Sequence, residues 1–129
     1  MKKYVFNPDE GITGELHARM GIYRIVIDKE TAGAKHFALL VNTTNPGVTG
    51  EAHTHTDVEH GFFILEGRGV IEINGKNSEV GPGTSIFVPA KAAHKLTCSG
   101  NTPLRYIVLY APPGPEQELK RDGRNAFKT

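Results

Sequence analysis

Short apolar runs alternate along this chain with clusters of glycine, proline and asparagine, and the runs have the length of strands rather than helices. They predict strands over Tyr23–Ile27, Phe37–Asn42, Phe62–Glu66, Val70–Asn74, Ser85–Pro89, His94–Cys98 and Leu104–Tyr110. All are rich in β-branched and aromatic residues, which suit a pleated, half-buried surface. Asn45-Pro46-Gly47, Glu66-Gly67 and Gly81-Pro82-Gly83 are turn signals, and Asn74-Gly75 predicts a two-residue hairpin between "VIEI" and "KNSEV". Long helical periodicity is absent. One short helix is expected over Pro115–Arg121, with the proline near its first position. The reading is one all-β domain over residues 1–129, with residues 112–129 as a tail that orders only by packing on something.

Composition narrows the partners. A chain of 129 residues suits a single hydrophobic core. The formal net charge is +1, and no basic run is present, so neither a nucleic-acid partner nor a membrane surface is expected. The two lysines at the start precede no apolar stretch, and no segment approaches the roughly 20 apolar residues of a membrane span. The single cysteine, Cys98, excludes an internal disulfide and fits a reducing compartment, so a cytoplasmic location is expected. No helix-turn-helix pattern is present.

The chemistry concentrates in "EAHTHTDVEHGFFILEG" (Glu51–Gly67), which holds three of the six histidines, His53, His55 and His60. Imidazoles side by side gain nothing structurally and repel one another once protonated. On an extended strand His53 and His55 share a face, as two adjacent ligands of one metal ion would. His60 shares a face with Phe62 and Ile64, and His94 opens a later strand. His17 and His36 read as ordinary polar residues, and Cys98 as a small packing residue rather than a nucleophile.

These spacings resemble the cupins, a family of small jelly-roll barrels (double-stranded β-helices). The first cupin motif is a glycine, five residues, His-x-His, three or four residues, a glutamate, six residues and a glycine. Here Gly47, His53, His55, His60 and Gly67 fall on that frame, with His60 where the glutamate stands and Glu59 one residue earlier. The second motif is a glycine, five residues, Pro-x-Gly, two residues, a histidine, three residues and an asparagine. Gly83, Pro89 and His94 match it, while Lys91 replaces the glycine and Cys98 the asparagine. Motif 1 thus spans residues 47–67 and motif 2 residues 83–98. If the spacing to Gly67 sets the register, the ligands are His53, His55, His60 and His94; if the shorter gap after His55 rules, Glu59 replaces His60. Alternation forbids both from facing one ion.

The resemblance implies one divalent metal ion, with iron or manganese preferred and zinc, nickel or copper as further candidates. Four neutral imidazoles would leave the ion's charge of +2 intact and favour a small, anionic, oxygen-rich substrate. Phe62, Ile64, Cys98 and Tyr106 are expected to line the pocket, and Arg105 and Tyr110 lie on the same strand as Tyr106. The implied activity is a metal-dependent enzyme, with dioxygenase chemistry first. Isomerase, lyase or cyclase chemistry comes second, and a non-catalytic ligand-binding module is the different-class alternative. The strand "FFILE" is apolar on both faces, and "KKYVF" with "YRIVI" adds apolar material outside the motifs, so a homodimer using the first strands is expected.

Overall fold

Asn74 and Gly75 form the two-residue turn that their sequence calls for: φ is +49° and +83°, and the flanking strands end at Ile73 and resume at Lys76. The computed structural model describes residues 3–16, 20–47 and 57–123. Within them lie nine strands and one helix. The strands are β1 (Ile12–Glu15), β2 (Gly21–Ile27), β3 (Ala38–Thr44), β4 (Glu59–Glu66), β5 (Gly69–Ile73), β6 (Lys76–Val80), β7 (Ser85–Val88), β8 (His94–Cys98) and β9 (Leu104–Ala111), followed by α1 (Pro115–Gly123).

Two antiparallel sheets share one core. The larger has the order β1-β2-β3-β9-β4-β7 and the smaller β6-β5-β8. This is the jelly-roll fold that the motif resemblance implies. Strand alternation places Ala38, Leu40, Asn42 and Thr44 of β3 inward, opposite Tyr110, Val108, Tyr106 and Leu104 of β9. On the other side of β9, His60, Phe62 and Ile64 of β4 point the same way. Ile25, Leu40, Ile64 and Leu104 are fully buried. Each contributes about 1.5–3 kcal/mol by leaving water, and truncating Ile64 to alanine would cost about 2–5 kcal/mol.

The opposite face of the larger sheet is less covered. Phe63, Phe87, Leu109 and Ile22 are exposed there, and the N-terminal Tyr4 and Val5 are each 78% exposed. The apolar N-terminal material therefore finds no cover within the described residues. No helix among the described residues is long and apolar enough to cross a membrane.

Helix α1 begins at Pro115 as expected and runs two residues beyond the predicted end. Glu116 and Glu118 lie in its first turn and Lys120 and Arg121 in its last, which complements the helix dipole. The buried Glu116 accepts from Gly114 N–H at 2.7 Å and from Gln117 Nε2 at 3.0 Å. Gln117 Nε2 also donates to Oδ2 of Asp28, in the turn after β2. Helix α1 is thus bound to the turn after β2.

Candidate metal centre and its cavity

His60 is the second residue of β4, and the apolar residues after it fix which way it faces. Phe62 and Ile64 must enter the core, so His60 enters with them and is 3% exposed, while Glu59 is exposed to solvent. His94 arrives from the other sheet, at the first position of β8, and is 5% exposed. The two rings meet with centroids 4.6 Å apart and planes 82° apart.

A tight turn aims His94. Lys91, which stands where the motif carries glycine, takes φ +70°, the left-handed conformation that glycine adopts without cost. Asn74 ties the same turn to the β5–β6 hairpin: its N–H donates to Ala93 O at 2.8 Å, and its Oδ1 accepts from Ala93 N–H at 3.1 Å. His94 Nδ1 lies 3.2 Å from Ala92 O. A carbonyl can only accept, so Nδ1 carries the hydrogen and Nε2 the lone pair that a metal ion requires.

Both rings border a cavity of about 320 Å³. Its wall is mainly apolar, from Leu16, Met20, Phe62, Leu96 and Val108, with Pro115, Glu118 and Leu119 of α1 closing one side. Tyr110 and Tyr106 also line it, and the Tyr110 ring stands 4.7 Å from that of His60. Burial raises the Tyr106 phenol above its ordinary pKa, against hydrogen bonds with Thr44 and Asn42 that lower it. Burial also raises Tyr110, and the nearby Tyr106, Glu116 and Glu118 push it further in the same direction. Both phenols are therefore neutral hydrogen-bond donors at physiological pH.

Of the expected pocket residues, Phe62 and Tyr106 line the cavity. Ile64 and Cys98 are buried in the core but are not part of its wall, and Cys98 Sγ points instead at Thr102 O, 3.1 Å away. Arg105 faces away, 3.9 Å from Glu66. His36 is exposed, while His17, His53 and His55 lie outside the described residues. Among the described residues no group of three or more histidine, cysteine or acidic side chains converges. Of the four candidate ligands the described residues hold two, a pair of buried imidazoles delivered by separate sheets, an arrangement that fits two neighbouring ligands of one ion. Asn42, Thr44 and Glu118 were not singled out by the sequence reading. Asn42 and Thr44 share a face with Leu40, but Leu39 and Val41 on the other face are equally apolar, so "LLVNTT" alone does not say which face is inside.

The chain belongs to the cupin family: the cupin domain model matches residues 41–110, which contain both histidines and the strands that present them. An uncharacterized protein of Methanocaldococcus jannaschii is 38% identical over 68 residues, 53% of this chain and 54% of its own. The chain spans about half the length of that relative. L-ectoine synthase of Bordetella avium is 31% identical over 121 residues, covering 92% of this chain and 85% of the enzyme. Among solved structures, the polyketide cyclase RemF from Streptomyces resistomycificus superposes with a TM-score of 0.74 at 28% identity, covering 89% of this chain and 82% of that one.

Proposed function

We propose that this cupin is a metal-dependent lyase or cyclase acting, without net oxidation, on a small anionic substrate rich in oxygen. The observation that carries this reading is the pairing of two buried imidazoles with two tyrosine hydroxyls in one largely apolar cavity. His60 and His94 would hold the ion together with His53 and His55. A divalent ion bound there supplies Lewis-acid polarisation of a substrate oxygen. The chain's own groups do the rest. The Tyr110 hydroxyl, on a ring 4.7 Å from that of His60, donates a hydrogen bond to an oxygen that gains negative charge. Phe62, Leu96 and Val108 exclude water, which strengthens these polar interactions. Ala92 O holds the His94 ring in the tautomer described above. A relative named as a cyclase and another named as a synthase support the reading.

Dioxygenase chemistry is the second reading, because the same apolar wall suits dioxygen. Elemental analysis of the purified protein, together with an oxygen electrode and NMR of 1,3-diketone and 2-hydroxy acid conversion, separates the two. Bound metal with conversion and no oxygen uptake is the expected result. Uptake that tracks conversion would transfer the assignment to a dioxygenase, and protein lacking metal would overturn both in favour of a binding module.

A further inference from the structure

The inward side chains of the larger sheet lie in rows across β3, β9 and β4. Ala38, Tyr110 and His60 make one row, Leu40, Val108 and Phe62 the next, and Asn42, Tyr106 and Ile64 the third. The third row is four residues along the strands from the first, a distance of roughly 13 Å. The cavity therefore has a histidine end and, remote from it, a second polar end made by Asn42, Thr44 and Tyr106.

That second end is deeply buried: Asn42 is 4% exposed, Thr44 1% and Tyr106 6%. The Tyr106 hydroxyl lies 2.9 Å from Thr44 Oγ1 and is also hydrogen-bonded to the Asn42 side chain. Either hydroxyl of the Thr44–Tyr106 pair can be the donor of the bond between them. Asn42 Oδ1 has no hydrogen-bond partner among the described residues. Desolvating a carbonyl without replacing its hydrogen bond is unfavourable, and folded proteins keep few such groups. An aliphatic residue, like its neighbours Leu40 and Val41, would avoid the cost. The lining position of Asn42 gives the acceptor somewhere to be used.

We propose that Asn42 is a specificity-determining residue, whose Oδ1 accepts a hydrogen bond from a hydroxyl or N–H at the end of the substrate remote from the histidines. The substrate class is thereby an elongated small molecule with an anionic oxygen at one end and a hydrogen-bond donor at the other. Tyr106 and Thr44 act as positioning residues that hold the amide. The inference rests on the cavity being the anion-binding metal site described above.

The test uses the full chain as purified with its metal, and a matched pair of acids, 4-hydroxycinnamate and cinnamate, measured by titration calorimetry. In the wild type the hydroxylated acid should bind at least about ten-fold tighter, since an unmet buried acceptor penalises its analogue. Asn42→Leu should bring the two acids to within about two-fold of each other, with an unfolding midpoint equal to or above that of the wild type. Asn42→Ala, which adds no bulk, should lose the same discrimination. Equal binding of the two acids to the wild type overturns this inference and leaves the proposed function standing. Discrimination that survives in both variants also overturns it, as does a lower unfolding midpoint for Asn42→Leu, which would make Asn42 a structural residue. Binding of neither acid overturns the inference too, while the metal content decides separately on the proposed function.

Discussion

Lys120 Nζ sits 2.6 Å from Oδ2 of Asp28, so the last helix is tied to the turn that follows β2. Asp28 is fully buried, and its Oδ1 also accepts from the N–H groups of Glu30 and Thr31 at 3.0 and 2.9 Å. Burial pushes its carboxyl up, but the hydrogen bonds from Lys120, Thr31 and Gln117 outweigh it and hold the pKa below the usual value. Lys120 is raised: burial lowers it, but its bonds to Asp28 and Glu30 win.

Lys120→Met should therefore cost about 3 kcal/mol, because it leaves a buried carboxylate short of its cation. A depressed carboxylate contributes stability above its unfolded pKa, near 3.9, and loses it as pH falls through the folded value. The raised lysine contributes fully below about pH 10.4 and loses it at higher pH. Urea unfolding should show a constant gap between wild type and variant across neutral pH, narrowing below about pH 4. A gap that widens in acid would contradict the assignment.

Metal content should separate His60 from its neighbour in sequence. His60→Ala and His94→Ala should each lose most of the bound ion while keeping β-type circular dichroism, because the core is built mainly by apolar strands. Glu59→Gln should retain the metal, since Glu59 is exposed at the edge of β4. Loss of metal in Glu59→Gln with retention in His60→Ala would reverse the ligand assignment. Global unfolding of either histidine variant would make the ion structural.

Lys91 offers a stabilising change. Its φ of +70° costs a side chain with a Cβ about 1 kcal/mol relative to glycine. Lys91→Gly restores the residue usual in the motif and should raise the unfolding free energy by up to about 0.5 kcal/mol, after glycine's greater freedom in the unfolded chain is subtracted. Thermal unfolding measures this directly, and a lower midpoint would count against the strain.

Assembly is the remaining expectation. Phe63, Phe87 and Leu109 expose apolar surface on the outer side of the larger sheet, as do Tyr4 and Val5 before it. A two-fold axis through such a patch is self-complementary, and a stable dimer buries upwards of about 1,200 Å² in total. Light scattering at micromolar concentration should give twice the 14.0 kDa chain mass, and Phe87→Lys should shift it toward monomer. The monomer mass for the wild type would end the proposal.

Much of this architecture was legible because apolar alternation and turn chemistry agree. β8 occupies its predicted span, and the Asn74-Gly75 hairpin is where its residues demand it. β1 was missed because "ITGE" offers two apolar positions at most and is held by pairing with β2. β6, almost entirely exposed, could be read only through the hairpin before it. The inward turn of His60 followed from Phe62 and Ile64. The role of Asn42 did not, because a polar residue on a strand reads alike on either face until the register across β3 and β9 is known.

The cavity is walled by strand side chains, and this bears on how such a protein can change over generations. Backbone pairing of β3, β9 and β4 does not depend on which side chains line the cavity, so long as core residues such as Leu40, Ile64 and Leu104 stay apolar, and the lining can be changed one codon at a time. A lineage carrying this fold can therefore try new cargo by exchanging residues such as Asn42 or Val108, without renegotiating how the chain folds.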